Sequence, residues 1–155
     1  MKNIIIRHAT EKDFPAILDL IKELAAFENE QDKVINTVNQ MKKEQDLFSC
    51  LVAETEKKEI IAIALYFFAY YTWIGKSLYL DDLVVKEKFR RQGIGTKLLR
   101  KLFEIAKKEN CKRVRWQTLK WNKNAISLYT KAGAVIDNEW INCDFNEEAI
   151  KNFSL

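Results

Sequence analysis

Only four glycines occur in 155 residues, and two of them, Gly93 and Gly95, stand two apart in Arg90-Arg91-Gln92-Gly93-Ile94-Gly95-Thr96-Lys97. A strand-like run, Leu78 to Val85, precedes this stretch, and a long helical pattern follows it. Strand, basic glycine turn and helix N-terminus together make an anion cradle. First-turn N–H groups have no intrahelical acceptor, and the helix dipole adds roughly half a positive charge there. The expected guest is a pyrophosphate.

Around the cradle the apolar residues keep secondary-structure periods. Asn3 to Arg7 reads as a strand. Asp13 is placed to cap a helix that tolerates Pro15 in its first turn, and Ile17, Leu18, Ile21, Leu24 and Ala25 keep helical spacing to Phe27. A weaker helix runs from Val34 to Lys43. Phe48 to Glu54 and Ile60 to Phe68 suit a hairpin, Tyr70 to Lys76 a turn, and Ser77 to Val85 the next strand. Ile94, Leu98, Leu99, Leu102, Ile105 and Ala106 form the stripe of the helix after the glycines. Arg113 to Thr118 alternates as a strand, Asn122 to Ala132 reads as a helix stopped by Gly133, and Ala134 to Ile136 and Trp140 to Phe145 read as late strands before a helical tail, Glu147 to Phe153. This order predicts an α/β fold, a mixed sheet with helices on both faces, in a single domain over residues 1–155.

Composition narrows the function classes. Three cysteines, Cys50, Cys111 and Cys143, are an odd number without close spacing, which argues against a disulfide framework and a zinc site; no metal is expected. A reducing cytoplasm is the simplest compartment. Net charge is +4 with lysines spread along the chain, whereas a nucleic-acid surface needs a clustered stripe, so no nucleic-acid partner is expected. The longest apolar run, Ile60 to Tyr71, falls short of the roughly 20 residues of a membrane helix, so no membrane role is expected either.

Two familiar phosphate loops fail here: a dinucleotide fingerprint needs a third glycine at Leu98, and a nucleotide-triphosphate loop needs Gly-Lys-Ser/Thr, where this chain has Gly95-Thr96-Lys97. Arg90-x-x-Gly93-x-Gly95 between strand and helix resembles instead the acetyl-CoA signature of the GNAT acetyltransferase superfamily. A second block, Asn122-x-x-Ala125-x-x-Leu128-Tyr129-x-Lys131-x-Gly133-Ala134, looks like that superfamily's other conserved segment. Ile21-Lys22-Glu23-Leu24-Ala25 with Glu28, Cys50 to Glu54, Trp73-Ile74-Gly75-Lys76, Tyr79-Leu80-Asp81-Asp82 and Trp121-Asn122 resemble its spermidine/spermine branch, which includes diamine and thialysine enzymes.

The resemblance implies the GNAT fold, with a twisted, mostly antiparallel central sheet. It also implies acetyl-CoA as cofactor. The backbone of Arg90, Arg91, Gln92, Gly93, Ile94, Gly95 and Thr96 would hold the pyrophosphate, with the Arg90, Arg91 and Lys97 side chains adding charge. Asn122 and Lys131 would contact the cofactor, and a backbone N–H among Leu83, Val84 and Val85 would meet the oxyanion.

Acetylating an amine meets a protonation problem. An ammonium of pKa about 10.4 is neutral in about one molecule in 2,500 at pH 7, a cost of about 4.6 kcal/mol. Asp81 and Asp82 are the candidate proton acceptors, Asp81 through a bridging water, since the branch usually has the longer glutamate there. Adjacent strand residues point to opposite faces, so both serve one centre only if a bulge intervenes. Tyr129 is the expected general acid for the departing thiolate.

The resemblance assigns the acceptor to Phe27, Glu28, Trp73, Asp81, Asp82 and Trp140, carboxylates and aromatic faces suited to a small cation. Tyr71 stands where polyamine enzymes carry an acid, which favours a short diamine or a lysine-like amino acid over long polyamines. No cysteine falls in either block, so direct transfer in a ternary complex is expected. Two alternatives stay open: an acetyl-CoA sensor without turnover, and an acetyltransferase of protein lysines or N-termini. The branch forms homodimers, and an exposed aromatic run from Tyr66 to Trp73 would suit such an interface.

Overall fold

Five strands, β1 (Ile4–His8), β2 (Ser49–Thr55), β3 (Ile60–Tyr71), β4 (Gly75–Val85) and β5 (Arg113–Arg115), lie side by side in that order in one sheet. The computed structural model describes residues 3–154, in two compact units that divide between Gln117 and Thr118; the sheet belongs to the first. Pairing is antiparallel from β1 to β4 and parallel between β4 and β5.

Helices cover both faces of the sheet, as expected. On one face α3 (Ile94–Lys108) buries Ile94, Leu98, Leu102 and Ala106 against Leu51, Ala62, Ala64, Tyr66, Leu78 and Leu80. On the other, α1 (Phe14–Phe27) and α2 (Val38–Lys43) bury Ile17, Leu20 and Met41 against Cys50, Val52, Ile63, Leu65 and Val84. Each fully buried leucine or isoleucine contributes about 1.5–3 kcal/mol, so these two cores fix the position of β4 between them.

The strand ladder contains two irregularities. Ala53 pairs with Ala62 but Glu54 with Ile60, leaving Ile61 as the extra residue. Leu65 pairs with Asp82 but Tyr66 with Leu80, leaving Asp81 without a partner. Such a bulge reverses the alternation of faces beyond it. Accordingly Leu78 and Leu80 point into the α3 core, whereas beyond the bulge Leu83 packs on that core and Val84 enters the α1 core.

Several element limits differ from the sequence reading. The β3–β4 turn is only Thr72–Ile74, because both strands extend toward it. Tyr66 is 2 % exposed rather than part of an exposed run, since β2 pairs with β3 as far as Tyr66; past it Phe67 is half-buried and Phe68, Tyr70 and Trp73 are exposed. The second helix begins at Val38, not Val34, because the Thr37 hydroxyl accepts the Gln40 amide at 3.1 Å. Asp13 precedes α1 but makes no side-chain cap. Its carboxylate instead accepts both terminal nitrogens of Arg7 (2.7 and 2.9 Å) and the Thr10 amide (2.7 Å).

The second unit holds α4 (Lys123–Lys131) and α5 (Glu147–Lys151). Strand β5 ends at Arg115 instead of Thr118, and the late strands expected at 134–136 and 140–145 are absent among the described residues. Between those two segments the Asp137 side chain accepts the Glu139 amide at 3.0 Å, a local turn. No helix among the described residues is long and apolar enough to cross a membrane.

Candidate active site

Past the end of β4 the chain makes a 3-10 turn, Glu87–Phe89, and enters the glycine segment. Arg91 (φ 61°) and Gly93 (φ 75°) both take left-handed backbone, which a side chain resists and glycine does not. A methyl group at Gly93 would meet nothing within 4 Å, so the space beside it is open. Gly93 is the N-cap of α3 and supplies no side-chain cap; the first amide bonded back is Lys97, to the Gly93 carbonyl at 3.0 Å. Amides of residues 91–96 donate to no protein acceptor among the described residues. A row of unbonded N–H groups on a 15-residue helix is the donor set that a diphosphate requires. The acetyl-CoA diphosphate therefore fits the residues present.

Arg90 is only partly available to a ligand. Its Nε donates to the Val85 carbonyl at 3.0 Å, and its guanidinium lies 5.6 Å from the Phe27 ring centroid. It ties the end of β4 to the loop, and it places Phe27 beside the cradle. Arg91, Gln92, Thr96 and Lys97 are exposed.

Strand β4 has an open edge next to this loop. Strand β5 pairs only with Ser77–Tyr79. The Lys86 amide bonds to Ile61 O (2.9 Å) on the β3 side, so by alternation Leu83 and Val85 direct their backbone groups to the other side, and Val84 toward β3. The Val85 carbonyl accepts the Arg90 side chain.

The bulge sets the carboxylates. Tyr79 and Asp81 share a face before it, and Asp82 and Val84 share that same α1 face after it, so both aspartates lie on one side of the sheet. Burial pushes the Asp82 carboxyl up to about 6, with Asp81 and Glu28 adding like charge. Burial also raises Asp81, which keeps one side in solvent, and Glu28, at the C-cap of α1, where Glu30 adds to the effect. Trp73, at the tip of the three-residue turn, is 89 % exposed.

In the second unit Asn122 is the N-cap of α4, its Oδ1 accepting the Ala125 amide at 3.2 Å. Tyr129 lies one turn from the other end, half-buried, and burial raises its hydroxyl above the usual phenol value. Its carbonyl accepts the Ala134 amide (2.9 Å) while Thr130 O accepts Gly133 N–H (3.0 Å), a closure that depends on Gly133 at φ 96°. Lys131 and Trp140 are exposed. Thus the first unit gathers Phe27, Glu28, Asp81, Asp82, Leu83, Val85 and the loop, and the second carries Asn122, Tyr129, Lys131 and Trp140.

Comparison with known proteins identifies the family. The profile of the acetyltransferase (GNAT) family matches residues 9–134. The chain is 35 % identical to a thialysine N-epsilon-acetyltransferase of Sus scrofa over 99 % of each chain. It is 35 % identical to a spermidine/spermine N(1)-acetyltransferase-like protein of Homo sapiens over 94 % of this chain and 23 % of that one. Among solved structures, an aminoglycoside acetyltransferase from an uncultured soil metagenomic sample superposes with a TM-score of 0.75 at 20 % identity, covering 92 % of this chain and 95 % of that one.

Proposed function

The chain belongs to the acetyltransferase (GNAT) family and is an N-acetyltransferase; from that premise we propose that it transfers acetyl from acetyl-CoA to the primary amine of a small cationic acceptor, directly, in a ternary complex. One observation carries the reading: unbonded amides at the start of α3 adjoin a β4 edge left open beyond Tyr79.

In this reading the amides of residues 91–96 hold the diphosphate, and exposed Arg91 and Lys97 add charge-assisted contacts. Arg90 serves mainly as a strut through its bond to Val85. Asn122 and Lys131 contact the arm of the cofactor. Bound acetyl-CoA supplies the electrophilic thioester carbonyl. The Leu83 and Val85 amides face the edge where that oxygen gains charge, and preorganised donors there are worth about 3 kcal/mol.

Asp82, with Asp81 beside it, takes the proton of the acceptor ammonium directly or through water. A carboxylate near pKa 6 is a stronger base than an ordinary aspartate and is still mostly ionised at neutral pH. Tyr129 keeps its proton because burial raises its hydroxyl, and it delivers that proton to the departing thiolate. Phe27, Glu28 and Trp140 line the acceptor; Trp73, on the turn that precedes β4, stands about 20 Å along the strand from Asp81 and is not beside the carboxylates. Names of the relatives supply the acceptor class, thialysine for the pig protein and spermidine or spermine for the human one; Tyr71 in place of an acid favours the shorter acceptor here. Direct transfer is supported by Cys50, whose thiol burial pushes up to about 12, and by Cys111, which burial also raises.

Both units serve as one catalytic domain in this proposal, since the family match runs from the first unit into the start of the second, as far as residue 134. It includes a homodimer joined near the exposed Phe68–Tyr70–Trp73 hairpin, and a cytoplasmic setting in which the free cysteines stay reduced. The test is a turnover screen with acetyl-CoA across spermine, spermidine, putrescine, thialysine, lysine and peptide amines. Intersecting double-reciprocal lines with a small amine are expected. Parallel lines, with an acetylated cysteine detected by mass spectrometry, would contradict direct transfer.

A further inference from the structure

Arg90 stands between the cradle and the acceptor wall and touches both. Its amide donates to the Glu87 carbonyl at 3.1 Å, so its backbone closes the 3-10 turn, and the row of unbonded amides begins only at Arg91. Its side chain turns away from that row. Nε donates to the Val85 carbonyl at 3.0 Å, and the guanidinium carbon lies 5.6 Å from the Phe27 ring centroid, within reach of a cation–π contact. Val85 in turn meets the first turn of α3, its Cγ2 lying 3.7 Å from where a Cβ on Gly95 would sit. The guanidinium is thus a post set on the end of β4, against which the last residue of α1 rests.

Phe27 ends α1, and Glu28 follows it as the C-cap. The chain reverses there. Asn29 takes left-handed backbone at φ 59°, and the amides of Glu28, Asn29 and Glu30 bond back to the carbonyls of Leu24 (3.0 Å), Ala26 (3.2 Å) and Ala25 (2.8 Å). One turn of backbone therefore holds Phe27 and Glu28 together, and a shift of the ring carries the carboxylate with it. Phe27 is 47 % exposed, so close packing does not fix its ring from every side, and the Arg90 contact helps to set where it lies. Glu28 is close enough to Asp82 to add like charge to it. A line of contacts thus runs from the glycine loop through Arg90 and Phe27 to the carboxylates.

The loop after Arg90 has amides without a protein acceptor and two residues in left-handed backbone, so a bound diphosphate supplies the bonds that hold it in one conformation. Holding the loop holds Arg90, and Arg90 holds the Phe27–Glu28 end of α1. We propose that the Arg90 side chain is a positioning residue that couples the two substrate sites: a filled diphosphate cradle steadies the acceptor wall through Phe27, and a bound amine steadies the cradle to the same extent. The assignment rests on the acetyl-CoA and amine reading above and deepens it, giving this side chain a role in communication between the sites.

The test is the coupling factor, the Kd of an amine without CoA divided by its Kd with CoA at saturation, measured by calorimetry for putrescine and thialysine. CoA carries no acetyl group, so no turnover intervenes. A wild-type factor of about fivefold or more is expected, falling to within about twofold of one in Arg90→Met and in Phe27→Leu. Phe27→Tyr, which keeps the ring, should keep the factor, and the double variant should lose no more than either single one. A side chain that only contacted phosphate would change CoA affinity and leave the factor alone, as would a general loss of stability. A wild-type factor within about twofold of one, or a wild-type factor retained by Arg90→Met or Phe27→Leu, overturns the coupling. Should Arg90→Met not fold, Phe27→Leu decides alone. Amide exchange gives a readout that needs no amine: CoA should slow exchange at Glu28, Asn29 and Glu30 in the wild type and not in Arg90→Met, and equal slowing in both overturns the proposal. If CoA binds and neither amine does, the acceptor reading falls, and exchange by itself decides the coupling. If CoA does not bind, the cofactor reading falls and takes the coupling with it.

Discussion

Leu65 lies opposite Asp82 in the β3–β4 ladder, and the next rung joins Tyr66 to Leu80, so Asp81 stands opposite nothing. One extra residue thus places two carboxylates on the same side of the sheet, where regular alternation would have separated them. Their proximity is part of why Asp82 titrates near 6.

That value has two consequences of opposite sign. As a base, Asp82 works ionised, so kcat/KM should climb as pH rises through about 6, and Asp82→Asn should abolish that limb with a loss of about 10²-fold or more. For stability, the folded pKa lies above the unfolded value of about 3.9. The protonated form is therefore favoured by folding, and its contribution is complete below about pH 4 and lost as pH rises through 6. Asp82→Asn should accordingly stabilise the fold by about 2 kcal/mol at pH 8 and by almost nothing at pH 4. Thermal unfolding at the two pH values checks this; equal shifts would contradict it.

Tyr129→Phe should slow acetyl transfer without ending it. A thiol of pKa about 8.5 leaves fairly well without a phenol of pKa about 10 to protonate it. The expected loss is about 10- to 100-fold in kcat with KM for acetyl-CoA little changed. Unaltered kcat would remove Tyr129 from the chemistry and favour a different proton donor.

Gly75 (φ 91°) and Gly93 (φ 75°) make a matched pair, since an added methyl meets nothing within 4 Å at either. Alanine at each should cost about 1–2 kcal/mol through left-handed backbone alone. Chemical denaturation should give similar losses, and a much larger loss at one site would show a packing role that the open space excludes.

Asp13, 8 % exposed, holds Arg7 with two hydrogen bonds, and Arg7 also bonds Glu54. The Arg7 bonds lower the Asp13 carboxyl to about 2. Its stabilisation is present above about pH 4 and fades as pH falls through 2. Asp13→Asn should cost about 3 kcal/mol at pH 7, because it leaves a part-buried guanidinium without its full partner. Urea unfolding with wild-type slope and a lower midpoint is the expected signature; an unchanged midpoint would contradict it.

Local chemistry was legible in the sequence. The α3 stripe, the left-handed turns at Gly93 and Gly133, and the strand leading into the glycine loop all follow from periodicity and from glycine's freedom at positive φ. What depends on a distant partner was not. The Asp81 bulge is fixed by β3 register, which no window around Asp81 contains. Asp13 stands where a cap belongs by local position, yet Arg7 of β1 claims both of its oxygens. The late segments 134–136 and 140–145 have no ladder partner among the described residues, and a short alternation without a paired neighbour does not make a strand.

The central claim is that the amides around Gly93 hold the acetyl-CoA diphosphate. Calorimetric titration of acetyl-CoA into the wild type, Gly75→Ala and Gly93→Ala tests it most directly. The account predicts saturable uptake of one molecule per chain, weakened about tenfold or more by Gly93→Ala, whose methyl enters the open space, and left alone by Gly75→Ala. No uptake by the wild type, or equal affinity in both variants, would contradict it.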